Sequence, residues 1–584
     1  MLSTSLISFK NLSILPELFL SISILFLILY GSIISTKKRY LIIQNSIINL
    51  GILILFFLFL LFINDPLYVV DLTQFNNTII NDSLSYFSKL FIITFSIVCI
   101  FNIKQNLEFQ KINNFEYILL YLFAILGLLL LCSSNDLITA YLSIELQSLS
   151  FYVMSAFKKN SNYSVDAGLK YFVLGSLSSG FFLFGSSLIY GFTGSTNFED
   201  FKDLFFWFTY ENFLTVNDIN TYLDNSDAAI LKSAFLIRLL HNENYPVFDN
   251  ELNYFFNNLG DSINNVISVD DFFFLMNLKL LSVIKNYQEL NIFSEISDFS
   301  FIQFAIVFII ISMFFKLAIA PFHGWLPDVY EGSPTSSTFF FAIIPKLGLF
   351  TLLIRLFYYC FFGFLDLWVY ILIVVALISI IVGSFTAIEQ RKLKSLFAYS
   401  SIGHMGYAMI AYSSGTFDGI QMLLIYLVIY MLSGAFIWSV FLLTNLKYKI
   451  SSKFSKDLGE FSLLFKSNKI LAIILFFVLL SLAGFPPLIG FLAKTSIFFV
   501  ALKSYLYYVA VLAILCSVVS TFYYIRIVKT MFFENRLVGN LYLPIKSQNT
   551  FCLIVCFYLF ILLFINPTLL YLMTYKVSLL ISNF

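Results

Sequence analysis

Six ionisable residues stand inside long apolar runs of this sequence. They are Glu145 in TAYLSIELQSLSFYVM, Lys170 in AGLKYFVLG, Lys316 and Lys346 within the stretch Phe301 to Phe350, His404 in AYSSIGHMGYAMI, and Lys494 in SLAGFPPLIGFLAKTSIFF. A charged side chain at the centre of a bilayer-spanning helix costs about 2.5–3.5 kcal/mol on insertion scales and is tolerated where it faces protein or a water-filled cavity. The chemistry open to a carboxylate, an ammonium and an imidazole in such a place is reversible proton binding. Desolvation among Phe and Leu penalises a lysine's charge and a neighbouring carboxylate favours it, so moving or screening such a carboxylate would switch the lysine between holding and releasing a proton. A row of such sites passes charge laterally, and each charge moved against 100 mV takes about 2.3 kcal/mol. Each residue also has a plainer reading. Glu145 could sit in a structural ion pair, Lys170 could snorkel to the interface, and His404 could be a core histidine held by a carbonyl. Lys316 and Lys346 are too deep to snorkel easily. His323 follows a proline break and is expected near the inner side. There is no Cys cluster, no GxGxxG after a strand and no paired His with haem or metal spacing, so no redox centre or metal site is expected.

The elements that must position these residues are membrane helices. The 584 residues are 60% hydrophobic and 11% charged, with mean hydropathy +0.89, which a soluble globule at about 45–50% apolar and about 25% charged does not reach. The net charge of +1 offers no basic surface for nucleic acid. The 73 Phe and 35 Tyr, with abundant Ile, Asn and Lys, suggest an AT-rich genome such as an organelle's. Six cysteines (99, 132, 360, 516, 552, 556) lie in apolar segments and read as small buried hydrophobes. No cleavable signal is evident.

Apolar runs long enough to cross about 30 Å of hydrocarbon recur at 13–34, 41–63, 84–103, 115–132, 134–157, 168–194, 301–330, 335–358, 364–388, 391–413, 419–445, 469–500, 503–530 and 551–576. The expected fold is therefore an all-α polytopic membrane protein of about fourteen helices. Lys and Arg crowd the connections after odd-numbered spans, as in Lys37-Lys38-Arg39 and Lys158-Lys159. By the positive-inside rule those loops face the cytoplasm or matrix, and both termini lie opposite. Two spans are broken, the seventh at Ala320-Pro321-Phe322-His323 and the twelfth at Gly484 with Pro486-Pro487, and each holds a lysine. Paired interrupted helices in two halves are the signature of inverted-repeat transporters. The expected organisation is 1–114 for three N-terminal helices, 115–198 with 301–363 for a first five-helix repeat, 364–530 for a second, and 531–584 for a C-terminal loop and last helix. Residues 199–300, with sixteen acidic and five basic residues, are expected as an extramembrane insert on the outer side.

The runs IELQSLSFYVMSAFKKN, FKLAIAPFHGWLPDVYEGSPT, KLKSLFAYSSIGHMGY and LAGFPPLIGFLAKTSIFF resemble the NADH dehydrogenase subunit 2 family, antiporter-like membrane-arm subunits of respiratory complex I. The resemblance covers most of the chain outside about 199–300. It implies proton translocation through Glu145, Lys170, Lys316, Lys346, His404 and Lys494, with Glu145 beside Lys316 and the others continuing a central hydrated axis. It implies that NADH, FMN, iron–sulfur clusters and ubiquinone are bound by partner subunits, none by this chain. It also implies a hetero-oligomer with other membrane-arm subunits in the mitochondrial inner membrane. Two other readings stand beside it: an Mrp-type cation/proton antiporter, and a structural spacer subunit.

Overall fold

The computed structural model describes residues 14–35, 40–63, 72–110, 112, 114–213, 299–444, 457–462, 464–533 and 547–582. The chain divides into two compact units, residues 1–205 with 305–584, and residues 206–304. Most of the acidic segment 199–300 lies outside the described residues, and the expectation of an outward cap lies there with it.

Where apolar side chains exclude water from the backbone, every N–H and C=O must be paired within its own segment, and the α-helix is the element that does this. The order is α1 Leu15–Ser35, α2 Tyr40–Ile63, the antiparallel pair β1 Leu72–Gln74 and β2 Ile79–Asn81, then α3 Ser83–Gln110, α4 Glu116–Ser133, α5 Leu137–Ser155, α6 Asn162–Thr193 and α7 Phe198–Phe213. After the acidic segment come α8 Phe299–Leu317, α9 Trp325–Gly332, α10 Thr335–Ile354, α11 Leu365–Glu389, α12 Leu393–Tyr412 and α13 Phe417–Leu443. The last are α14 Lys469–Ala483, α15 Ile489–Lys503, α16 Tyr507–Phe532, α17 Ser547–Ile565 and α18 Thr568–Ser582. Polar residues set several helix starts. Asp136, Thr416 and Asn468 accept hydrogen bonds from Ile138, Gly419 and Leu471 N–H at 3.4, 3.3 and 3.2 Å.

The polytopic all-α fold is as expected, but the count of fourteen spans is not reached. Among the described residues ten helices are long and apolar enough to cross a membrane, or eleven with α17 and α18 taken together. Three physical causes account for the difference. The two broken spans are pairs of short helices, α8 with α9 and α14 with α15. α12 carries Lys394, three serines and His404 on an otherwise apolar helix. The last span, expected at 551–576, bends by 78° between Ile565 and Thr568, at Asn566-Pro567, where proline removes a backbone donor.

The centre is α10, buried along all twenty of its residues, with α13 beside it. α1 and α6 instead turn Leu25, Phe26, Ile33, Leu169 and Val173 outward, as lipid-facing helices do. Two buried ion pairs tie the N-terminal hairpin and helices to the rest. Lys89 on α3 meets Glu17 on α1 at 2.5 Å and Asn81 Oδ1 at 2.8 Å, and Arg355 after α10 meets Asp82 at 2.6 Å. Lys394 is fully buried in the first turn of α12 and donates to the Ser333 carbonyl at 2.6 Å.

Candidate functional site

The first broken span places Lys316 in the last turn of α8, where an ammonium complements the negative end of the helix dipole. Its Nζ is buried without a hydrogen-bond partner, and so is Oε1 of Glu145 on α5, while Glu145 Oε2 accepts from Ser148 Oγ at 3.5 Å. Glu145 is the charged group that acts electrostatically on Lys316. The two do not close into a contact: the ion pairs within 4.0 Å among the described residues are elsewhere. The expected pairing is thus electrostatic, across a gap of more than 4.0 Å between the charged atoms.

A cavity of about 40 Å³ lies beside Lys316, lined also by Gln147 and Ser148 of α5, Trp325 and both Pro345 and Lys346 of α10. That is room for a water molecule or two. Pro345 inside α10 has no N–H to give the carbonyl of Phe341, a residue that also lines the cavity, so the helix lacks that hydrogen bond beside Lys346. The cavity therefore brings Lys316 and Lys346 onto one small space whose wall is mostly apolar, with Gln147 and Ser148 among its polar groups.

Beyond Lys346 the line continues through phenols. Lys346 Nζ donates to Tyr430 Oη at 2.6 Å and lies 4.5 Å from the centre of that ring. The Tyr430 ring stands 5.4 Å from the imidazole of His404. His404 is bonded at both nitrogens, Nδ1 with Tyr426 Oη at 2.7 Å and Nε2 with Tyr524 Oη at 3.0 Å. Tyr407, one turn from His404 on α12, is 6.4 Å from it ring to ring and carries Lys494 Nζ over its face at 5.3 Å. Neither the carbonyl reading of His404 nor a lone core histidine describes this arrangement.

The second broken span holds Lys494 in an unexpected manner. Lys494 belongs to α15, after the break, but its side chain runs back and donates to the Ala483 carbonyl at 2.9 Å, at the last residue of α14. That carbonyl is one of the terminal acceptors a helix cannot satisfy internally. Both broken-span lysines thus sit at the C-terminal end of the first half-helix, although one precedes its break in sequence and the other follows it. Gly484 permits this. It ends α14 in the left-handed region at φ 91°, and a Cβ there would come within 3.0 Å of Lys494 Cδ.

Five of the six residues singled out from sequence, Glu145, Lys316, Lys346, His404 and Lys494, therefore follow one another as neighbours or through one intervening side chain. Lys170 does not join them. It lies on the surface of α6, 56% exposed, paired with the equally exposed Asp328 of α9. His323 lies in the break between α8 and α9, half-exposed, with Nδ1 unpartnered. The residues that sequence reading missed are Tyr407, Tyr426, Tyr430 and Tyr524. Spacing held a signal, since Tyr426 and Tyr430 share one face of α13 four residues apart, but 35 tyrosines hide it.

The chain matches the profile of the family described as NADH:quinone oxidoreductase/Mrp antiporter, transmembrane, over residues 134–236 and 264–521. The match enters the acidic segment from both sides and leaves only 237–263 uncovered, a narrower gap than the 199–300 expected from sequence. The chain is 34% identical over 97% of its length to "NADH-ubiquinone oxidoreductase chain 2" of Marchantia polymorpha, covering 98% of that protein. It is 35% identical over 90% of its length to "NADH-quinone oxidoreductase subunit N" of Pelagibacter ubique, covering 90% of it. Among solved structures, a chain of respiratory complex I from Thermus thermophilus with bound aureothin superposes with a TM-score of 0.66 at 22% identity. That superposition covers 95% of this chain and 98% of the other.

Proposed function

This chain belongs to the NADH:quinone oxidoreductase/Mrp antiporter transmembrane family, and we propose that it works as a proton-translocating membrane subunit of a respiratory NADH:quinone oxidoreductase. The observation that carries the reading is the succession of neighbouring buried proton-binding groups from Lys316 through the cavity to Lys346 and Tyr430, then His404 with its two bonded phenols, then Lys494 over the Tyr407 ring.

The driving step belongs to the Glu145–Lys316 gap. With the carboxylate near, Lys316 holds its proton. When Glu145 is drawn away or screened, desolvation disfavours the charge, and the cavity beside Lys316 leads toward Lys346. From there the proton passes along the phenol and imidazole groups toward Lys494, whose seat on the α14 terminus accepts a positive charge. The chain's residues hold and move protons. The redox chemistry that drives them, with NADH, FMN, iron–sulfur clusters and ubiquinone, belongs to partner subunits of the membrane and peripheral arms. We place the subunit in the mitochondrial inner membrane, with both termini and the 199–300 segment toward the intermembrane space. The likeness to "NADH-ubiquinone oxidoreductase chain 2" of Marchantia polymorpha and the organelle-like composition support the location, and the Lys and Arg crowded after odd-numbered spans support the orientation.

Replacing Lys316 by Ala in the assembled complex tests the reading. Proton pumping and coupled quinone reduction should fall together, while NADH oxidation by an artificial acceptor stays at the wild-type rate. Equal loss of both activities, or unchanged pumping, would overturn it.

A further inference from the structure

We infer that Tyr426 and Tyr524 are catalytic proton carriers, so that every proton reaching or leaving His404 passes through one of these two phenols. This rests on the proton-translocating reading above and assigns the step at its centre. His404 is 5% exposed, and an imidazole has two nitrogens through which a proton can arrive or depart. Both are taken, Nδ1 by Tyr426 at 2.7 Å and Nε2 by Tyr524 at 3.0 Å, which leaves no ring nitrogen for water.

The chemistry of the triad is closed. In a neutral imidazole one nitrogen carries a hydrogen and the other a lone pair, so one phenol accepts from the ring and the other donates to it. Take Nδ1–H donating to Tyr426 and the Tyr524 hydroxyl donating to Nε2. A proton arriving at the Tyr524 oxygen releases that phenol's own proton to Nε2. The Nδ1 proton moves to the Tyr426 oxygen, and the original Tyr426 hydroxyl proton leaves on the far side. One proton enters, one leaves, both phenols stay neutral and the ring has exchanged tautomers. The charged groups acting on His404 are Lys346 and Lys494, one on each arm of the line, with no carboxylate among the described residues. A mechanism that leaves no charge on the ring suits that setting.

The three groups come from three helices, α13, α12 and α16, so the relay also depends on their mutual packing. Tyr426 shares a face with Tyr430, four residues on, which takes the bond from Lys346, so the α13 phenols connect the relay to the first half of the line.

The test uses Tyr426→Phe and Tyr524→Phe in the intact complex, reconstituted in proteoliposomes, beside His404→Ala and Lys316→Ala. Phenylalanine keeps the ring and removes one oxygen. Each Phe variant should lower coupled quinone reduction by about a hundredfold, the low end of what a positioned acid–base group contributes, and lower the proton-to-electron ratio. The artificial-acceptor rate and thermal midpoint should remain. The solvent deuterium effect on the residual rate should change as well, which a purely structural phenol would not cause. If His404→Ala and Lys316→Ala abolish pumping while both Phe variants pump with the wild-type ratio and isotope effect, the relay is refuted and the proton-translocating reading stands. If His404→Ala and Lys316→Ala also pump normally, both fail.

Discussion

The seat of Lys494 can be tested through a residue that carries no charge. Gly484→Ala introduces two separate perturbations. An alanine in the left-handed region costs about 1–2 kcal/mol, which is about a five- to thirtyfold change in the population of the native turn. Its Cβ would also lie 3.0 Å from Lys494 Cδ, inside the ordinary carbon–carbon separation of about 3.5–4.0 Å, so the lysine stem must shift against the 2.9 Å bond it makes to the Ala483 carbonyl. Two companions separate these effects. Gly194 ends α6 in the same left-handed region, at φ 71°, with open space where its Cβ would be, so Gly194→Ala imposes backbone strain alone. Asparagine tolerates the left-handed region better than alanine, so Gly484→Asn imposes mainly the crowding. The assay is the proton-to-electron ratio of the reconstituted complex, with thermal inactivation measured in parallel. Gly194→Ala should lower heat resistance and pump normally. Gly484→Asn should lose pumping with a modest loss of heat resistance, and Gly484→Ala should lose both. Normal pumping in both Gly484 variants would refute the reasoning that this turn exists to seat Lys494.

The buried pair of Glu17 and Lys89 should behave as a coupled unit. Glu17→Ala alone leaves an uncompensated ammonium and should destabilise the α1–α3 packing by about 3–5 kcal/mol, whereas Glu17→Leu with Lys89→Met should be near neutral, as read by thermal release of the subunit from the complex. The exposed pair of Lys170 and Asp328 should contribute at most about 1 kcal/mol, so Lys170→Met should shift the same melting curve little. Protease added to the outer face of mitoplasts should cut between residues 199 and 300, and cleavage only from the matrix side would reverse the assigned orientation.

Much of this molecule was legible in its residues because the membrane imposes simple rules. Apolar length sets where helices lie, the cost of burying charge marks Glu145, Lys316, Lys346, His404 and Lys494 as exceptional, and proline marks the breaks. Each of those inferences needs only the local sequence. What tertiary packing decided is everything that depends on which side chains meet. Lys170 fits the same pattern of an ion in an apolar run, yet α6 turns it outward to Asp328, because helical phase relative to neighbours is not written in hydropathy. Lys494 follows its break in sequence but reaches back across Gly484 to the end of α14, a placement that a left-handed turn and a flexible four-carbon stem permit. The phenols around His404 come from helices α13 and α16, on residues 22 and 120 positions away along the chain. Tyrosine is common here and inexpensive to bury when hydrogen-bonded, so only the fold could distinguish the few that bond to the imidazole from the many that fill space.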